Sequence, residues 1–227
     1  MRKLRIGFLV SGNGGTLKGV HLAIQQLKLP FQVVLVLADR ACGALDYAHA
    51  AGLPGLQLHY TRQAAGELQE ALLAAAPDIV VTTIHKIIDA DTIRLLPGMF
   101  VNLHYSLLPS FKGLIGMQTV EQARQLNVTV IGATCHEVDE EVDNGRCLTQ
   151  CAVGVNWSHD TPEQVHELVF RSATIILLQA LMQRAHSTEL RASGIADIMG
   201  RQVLFAPALS FALDSFGEEF WRKVKEN

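Results

Sequence analysis

No basic stretch, no Cys-x-x-Cys pair, no internal repeat and no low-complexity segment stands in these 227 residues. The formal charge is -3, with 19 basic and 22 acidic residues interspersed along the chain. That balance gives no footprint for nucleic acid or for an anionic membrane, so the expected partners are small molecules. The longest apolar runs, such as Phe31 to Ala38 and Ile175 to Met182, fall short of the roughly 20 residues that span a bilayer. Met1-Arg2-Lys3 leads into a strand-like run without an evident cleavage site. A soluble, cytoplasmic chain is the expectation. Cys42, Cys135, Cys147 and Cys151 read as free thiols. Zinc needs about four ligands at productive spacing, and the neighbours Cys135 and His136 would point to opposite faces of a strand, so no metal is expected.

What the chain does have is apolar content, 49% of its residues, enough to bury a sizeable core as one α/β domain. Leu4 to Val10 is an apolar run that ends in Ser11-Gly12-Asn13-Gly14-Gly15-Thr16, and Leu17, Val20, Ile24 and Leu27 then follow helical spacing. Gln32 to Ala38 and Asp78 to Thr83 read as buried strands, with helices over Gly43 to Ala51 and Ala64 to Ala76. This alternation predicts parallel βαβ units, a Rossmann-like and mostly parallel sheet with helices on both faces. Phe100 to His104 is a further strand, followed by a loop through Pro109 and Gly113. Val128 to His136 and Cys147 to Val155 look like an antiparallel pair at one edge. Thr161-Pro162-Glu163 then resembles an N-cap, a first-turn proline and a first-turn acid, opening a helix to about Ala185. The expected organisation is a domain over 1–190 and an extension over 191–227, whose apolar residues from Phe205 to Trp221 need a surface, on the same chain or at a homodimer seam.

Three places carry chemistry. Asn102 and His104 alternate along a strand, so both face one side, at the strand end where open α/β sheets bind ligands; from spacing alone, a turn residue and a core histidine account for them better than a site does. Asp143 sits in the acidic loop Glu137 to Gly145, where Asn144-Gly145 favours a turn with positive φ. A carboxylate near a histidine raises the imidazole pKa toward working pH. The glycines after the first strand suit an anion at a helix N-terminus, but Leu17 stands where the dinucleotide fingerprint needs a third glycine. A dinucleotide binder using Asp39 for the ribose is therefore the poorer alternative.

These residues resemble the folate-dependent formyltransferases, in particular their glycinamide ribonucleotide transformylase branch and, in part, their formyltetrahydrofolate deformylase branch. The resemblance runs from about Leu4 to Leu181. It rests on Asn102-Leu103-His104 with Ser106-Leu107-Leu108-Pro109, on Gly132-Ala133-Thr134-Cys135-His136, and on Val142-Asp143-Asn144-Gly145. It implies an enzyme in which Asn102, His104 and Asp143 are catalytic and 10-formyltetrahydrofolate is the co-substrate. Asn102 would donate to the oxyanion, His104 would act as an imidazolium and proton relay, and Asp143 would hold His104 directly or through a water. Ile84, His85, Lys86, Ile87 and Ile88, with Val138, Asp139 and Glu140, would line the folate cleft. Gly12, Asn13, Gly14, Gly15 and Thr16 would hold a small amine substrate.

The departures concern the amine. Gly15 and Thr16 replace the Ser and Asn of the transformylase loop, and Lys86 stands for an Arg, losing a planar fork of donors. Ser172 falls near the glutamate that contacts the ribonucleotide, while Ile115 and Met117 replace two loop histidines. The resemblance therefore implies formyl transfer to a primary amine and leaves open whether that amine is the ribonucleotide, an amino sugar or another metabolite. Hydrolysis to formate and a non-catalytic folate or nucleotide sensor are the alternatives.

Overall fold

β1 (Leu4–Val10) is the first strand of a computed structural model that describes residues 2–186 and 192–226. After it come α1 (Gly15–Gln26), β2 (Phe31–Ala38), α2 (Gly43–Ala50), β3 (Gly55–Gln57), α3 (Gly66–Ala75), β4 (Ile79–Thr83), α4 (Ala90–Leu95) and β5 (Phe100–His104). β1 pairs in parallel with β2 and with β4, β2 with β3, and β4 with β5. Each return to the same end of the sheet requires a crossover, which the helices supply. Ile6, Phe8, Val36, Val80 and Val81 are fully buried, as expected of central strands covered on both faces.

The second part of the chain changes character. It comprises α5 (Met117–Gln125), β6 (Val130–Glu137), β7 (Cys147–Gly154), α6 (Pro162–His186), β8 (Gly194–Ile198) and β9 (Arg201–Ala206). β6 and β7 form the expected antiparallel pair, and β9 and then β8 extend it, also antiparallel. α6 packs on β6 and β7. Its start is a reciprocal capping box: Gln164 N donates to Thr161 Oγ1, and Thr161 N donates to Gln164 Oε1. α6 is long and apolar enough to cross a membrane, but most of that stretch is buried inside the protein. Run length alone did not reveal such a helix, because its apolar residues are interrupted by buried polar ones such as Arg171, Ser172 and Gln179.

By chain packing the protein divides into two compact units, Met1–Asn102 with Leu213–Asn227, and Leu103–Ala212. The last helix, α7 (Glu218–Lys225), returns to the first unit and packs on α1. Phe216, Phe220 and Trp221 cluster there edge to face, with Phe216–Phe220 and Phe220–Trp221 centroids both 4.9 Å apart. The apolar residues after Phe205 thus serve two places, Phe205 in β9 and Trp221 in α7. The boundary expected between 190 and 191 lies outside the described residues. The β8–β9 hairpin escaped the pattern reading for a local reason. Its two-residue turn is Met199-Gly200, both at positive φ, and a methionine in that role is not a turn signal.

Candidate active site

In the second unit β5 delivers His104 into a nearly closed environment, where the imidazole is 5% exposed. Its Nε2 lies 3.1 Å from the Phe111 carbonyl oxygen, and its Nδ1 lies 3.3 Å from Asp143 Oδ2. Both ring nitrogens face acceptors, an arrangement that a doubly protonated ring satisfies. Burial nevertheless pulls the His104 pKa below its ordinary value, against the opposing influence of Asp143 and the Phe111 carbonyl. The expected net rise is therefore overturned: a carboxylate alone raises an imidazole, but here loss of solvent outweighs it. The contact with Asp143 is direct.

Asp143 is positioned by its loop. Gly113 N donates to its Oδ2 at 2.8 Å, and Lys112 Nζ donates to Asn144 Oδ1 at 2.8 Å. The loop base is closed by Glu137 N donating to Arg146 O and by the Arg146–Glu137 ion pair at 2.6 Å. A Cβ on Gly145 would sit 1.8 Å from the Glu137 carbonyl oxygen, so only glycine closes this base. The positive φ falls on Asp143, at 52°, and not on Asn144 or Gly145. The Asn-Gly turn reading is corrected accordingly: Gly145 is needed for close backbone approach, and the left-handed conformation aims the carboxylate. Burial raises the Asp143 carboxyl, but the neighbouring His136, the Gly113 amide and the charge of His104 bring it below its ordinary value.

His136 is the residue that sequence reasoning left without a role. It is 2% exposed, its Nδ1 is 2.7 Å from Glu137 O, and its Nε2 approaches Asp143 Oδ1 at 3.6 Å. That distance is beyond a hydrogen bond, and the buried Nε2 has no such partner. The signal was its place in the Gly132 to His136 motif. Asp143 thus stands between two imidazoles. Thr134 braces the same region, donating to Ser106 O at 2.8 Å and accepting from Leu108 N and Gln150 Nε2. Val138, Asp139 and Glu140 follow β6, where Asp139 Oδ1 accepts from Glu141 N.

The first unit holds the other residues named from sequence. Asn102 Nδ2 donates to Thr82 O at 2.7 Å, with Thr82 Oγ1 at 3.2 Å. Gly12 to Gly14 form the turn after β1, and α1 opens at Gly15 and Thr16 with no side-chain cap and no acid in its first turn. Gly14 has φ 76°, and a Cβ there would meet Ala44 Cβ at 2.7 Å. Asp39 is fully buried at its side chain and ion-paired with Arg40 at 2.8 Å and Lys86 at 3.5 Å. Its Oδ1 also accepts from Ser11 Oγ at 2.7 Å. Both oxygens are therefore taken, which removes the group that a dinucleotide ribose would need.

Ile84 to Ile88 follow β4 as a strand-end loop, with Ile87 exposed and Ile88 buried. His85 N donates to Ser11 Oγ at 2.9 Å, and Lys86 Nζ donates to Tyr60 O at 2.5 Å. Among the described residues the amides of Lys86, Ile87 and Ile88 meet no protein acceptor. Such a loop suits the edge of a polar heterocycle.

A family model described as formyl transferase matches residues 4–181. The phosphoribosylglycinamide formyltransferase of Mycobacterium tuberculosis is 30% identical over 205 residues, covering 88% of this chain and 93% of the relative. The chloroplastic phosphoribosylglycinamide formyltransferase of Arabidopsis thaliana is 30% identical over 178 residues, and the match spans 74% of this chain but 61% of that relative. The match spans 17% of the trifunctional purine biosynthetic protein of Bos taurus. Among solved structures, glycinamide ribonucleotide transformylase 1 from Symbiobacterium toebii superposes with a TM-score of 0.76 at 28% identity, over 88% of this chain and 93% of that one. A formyltetrahydrofolate deformylase from Pseudomonas syringae shares the fold, with a TM-score of 0.71 at 22% identity, over 89% of this chain and 66% of that one.

Proposed function

The chain belongs to the formyl transferase family, and from that premise we propose that it transfers a formyl group from 10-formyltetrahydrofolate to a primary amine, through Asn102, His104 and Asp143. The observation that carries this reading is the buried His104–Asp143 pair, 3.3 Å apart, with a second imidazole on the same carboxylate. In the transfer, the amine attacks the formyl carbon and the folate nitrogen departs. His104, lowered by burial, starts neutral at pH 7 and accepts the proton that the attacking amine sheds. Asp143 stabilises the imidazolium so formed, which then returns the proton to the leaving nitrogen. Asn102, two residues away on β5, keeps one amide hydrogen on Thr82 O and offers the other to the oxyanion in exchange for its longer contact with Thr82 Oγ1. One donor of this kind is typically worth on the order of a hundredfold in rate or more.

Gly12, Asn13, Gly14, Gly15 and Thr16 bind the amine substrate in this reading, supported by the uncapped start of α1. Ile84 to Ile88 and Val138 to Glu140 bind the folate. Glycinamide ribonucleotide is the first candidate amine, because relatives at 30% identity carry that substrate in their names. A second reading, a different amine, is favoured by Ser172. That residue is 1% exposed and its hydroxyl donates back to Leu168 O, so it does not replace a carboxylate that reaches a ribose. One experiment separates the readings: incubate the protein with 10-formyltetrahydrofolate and either glycinamide ribonucleotide or a panel of amines, and identify products by mass spectrometry. A formylated amine is expected. Free formate alone would make the protein a hydrolase, and tight folate binding without either product would make it a sensor.

A further inference from the structure

Tyr60 lies outside every motif noted in the sequence, yet four hydrogen-bonded contacts join it to the loop after β4. Its hydroxyl accepts from Asp89 N at 2.7 Å and donates to Ile87 O at 3.0 Å, with Asp89 Oδ2 at 3.2 Å. Its own carbonyl oxygen accepts from Lys86 Nζ at 2.5 Å. The ring is fully buried, and nearby Leu58 N donates to Ala38 O at the end of β2. A line of support therefore runs from the sheet through Tyr60 to the loop. Ser11 Oγ holds the other end at His85 N. Asp89 is itself fastened to α4, accepting from Thr92 N and Thr92 Oγ1 at 2.8 and 2.7 Å. Between these two anchors the amides of Lys86, Ile87 and Ile88 are left without protein acceptors.

We infer that Tyr60 is a positioning residue for the folate: its hydroxyl sets the arch of residues 85–89 so that the free amides between the anchors are pre-aligned for the donor's heterocycle. This rests on the reading of that loop as the folate site. The hydroxyl is suited to the role because burial keeps it protonated, pushing its pKa up to about 12, so it remains a donor throughout the working range. Pre-alignment acts on binding and not on the chemical step, so its loss belongs in the folate affinity alone.

The test is Tyr60→Phe, which keeps the ring and removes the hydroxyl. KM for 10-formyltetrahydrofolate, and Kd for a folate analogue with carbon in place of the formyl-bearing nitrogen, should rise about tenfold, the size of one or two lost hydrogen bonds. kcat at saturating folate and KM for the amine should change by less than about twofold. Unchanged folate KM and Kd, a fall confined to kcat, or equal loss of amine and folate affinity would each overturn the proposal while leaving the folate reading intact. A wild type that does not bind the analogue overturns both. A further measurement on the wild type alone does not depend on the variant folding: amide exchange by NMR should find Asp89 N–H protected at least about tenfold over those of Lys86 and Ile87. Equal exchange means that the hydroxyl does not hold the loop.

Discussion

Asp39 in the first unit and Asp143 in the second are both carboxylates drawn below their ordinary range, but by different kinds of partner. Around Asp39, burial pushes the carboxyl up, and hydrogen bonds from Arg40 and Ser11 with the charges of Arg40 and Lys86 bring it to about 2. Its partners are thus a guanidinium, an ammonium and a hydroxyl. Around Asp143 the partners are two histidines and one backbone amide. Histidines exchange protons near neutrality. The same residue type is therefore a fixed strut in one place and a member of the proposed proton-handling centre in the other, and what distinguishes them is the chemistry of the neighbours. Saturation differs too: Asp39 has hydrogen-bond partners on both oxygens, whereas beside Asp143 the buried His136 Nε2 is left without one. An unpaired buried polar atom is costly, and it stands where charge must move in the proposed reaction.

Four experiments would break or sharpen this contrast. The largest effect is expected from removing the proton-handling members. His104→Ala should lower kcat by about a hundred- to ten-thousandfold, and Asp143→Asn by a hundredfold or more, with folded protein in both cases. Asp39→Asn should leave kcat within about threefold, because the contrast assigns it support and not chemistry. If Asp39→Asn lost as much kcat as Asp143→Asn, the contrast would fail. Next in size is Gly145→Ala, whose Cβ would collide with Glu137 O. Forcing the loop base apart should cost about 1–3 kcal/mol in urea unfolding and reduce kcat as Asp143 shifts. Gly66→Ala, where a Cβ meets nothing within 4 Å, is the control and should be neutral or slightly stabilising.

The pH dependence gives a smaller but more specific reading. With His104 depressed by burial, kcat/KM should be level at neutral pH and fall as pH drops through a midpoint below the ordinary histidine value of 6.5. In an Asp143→Asn protein with residual activity the midpoint should move lower still, since the carboxylate is the influence that raises it. A midpoint above 6.5 in the wild type would mean that the ion pair, and not burial, dominates. The smallest effect concerns acid stability. Asp39 has a folded value of about 2 against an ordinary 3.8. Its contribution is complete above 3.8 and is lost as pH falls toward 2. Urea midpoints at pH 6 and pH 3 should therefore drop further for the wild type than for Asp39→Asn; parallel drops would remove Asp39 from the account.

How much of this could be read from the chain differs between the two units. In the first, β1, β2, β4 and β5 were legible as apolar runs, and the glycine turn announced α1, because parallel strands buried on both faces leave an unbroken apolar signature. Short elements escaped. β3 has only three residues, and the short α4 is announced only by its cap Asp89, which neither hydrophobic period nor proline betrayed. In the second unit β6, β7 and the start of α6 were legible. β8 and β9 were not, since β8 buries only Ile198 and β9 only Val203 and Phe205 of its six residues.

The triad was visible as residue types in register with family motifs, while its electrostatics were not. The sequence by itself determined the parallel framework, the antiparallel pair and the capping of α6, because these follow from local periodicity and spacing, whereas Asn102, His104 and Asp143 were grouped only by their resemblance to the motifs of a known family. Only the tertiary structure decided that His104 is lowered and not raised, that His136 flanks Asp143, that Asp39 is spoken for by Arg40, Lys86 and Ser11, and that Tyr60 holds the loop after β4. Each of these depends on burial and on contacts between residues far apart in the chain, His104 with Asp143 and Tyr60 with Asp89. Desolvation and long-range hydrogen bonding are properties of the packed molecule and leave no periodic trace in the order of its residues.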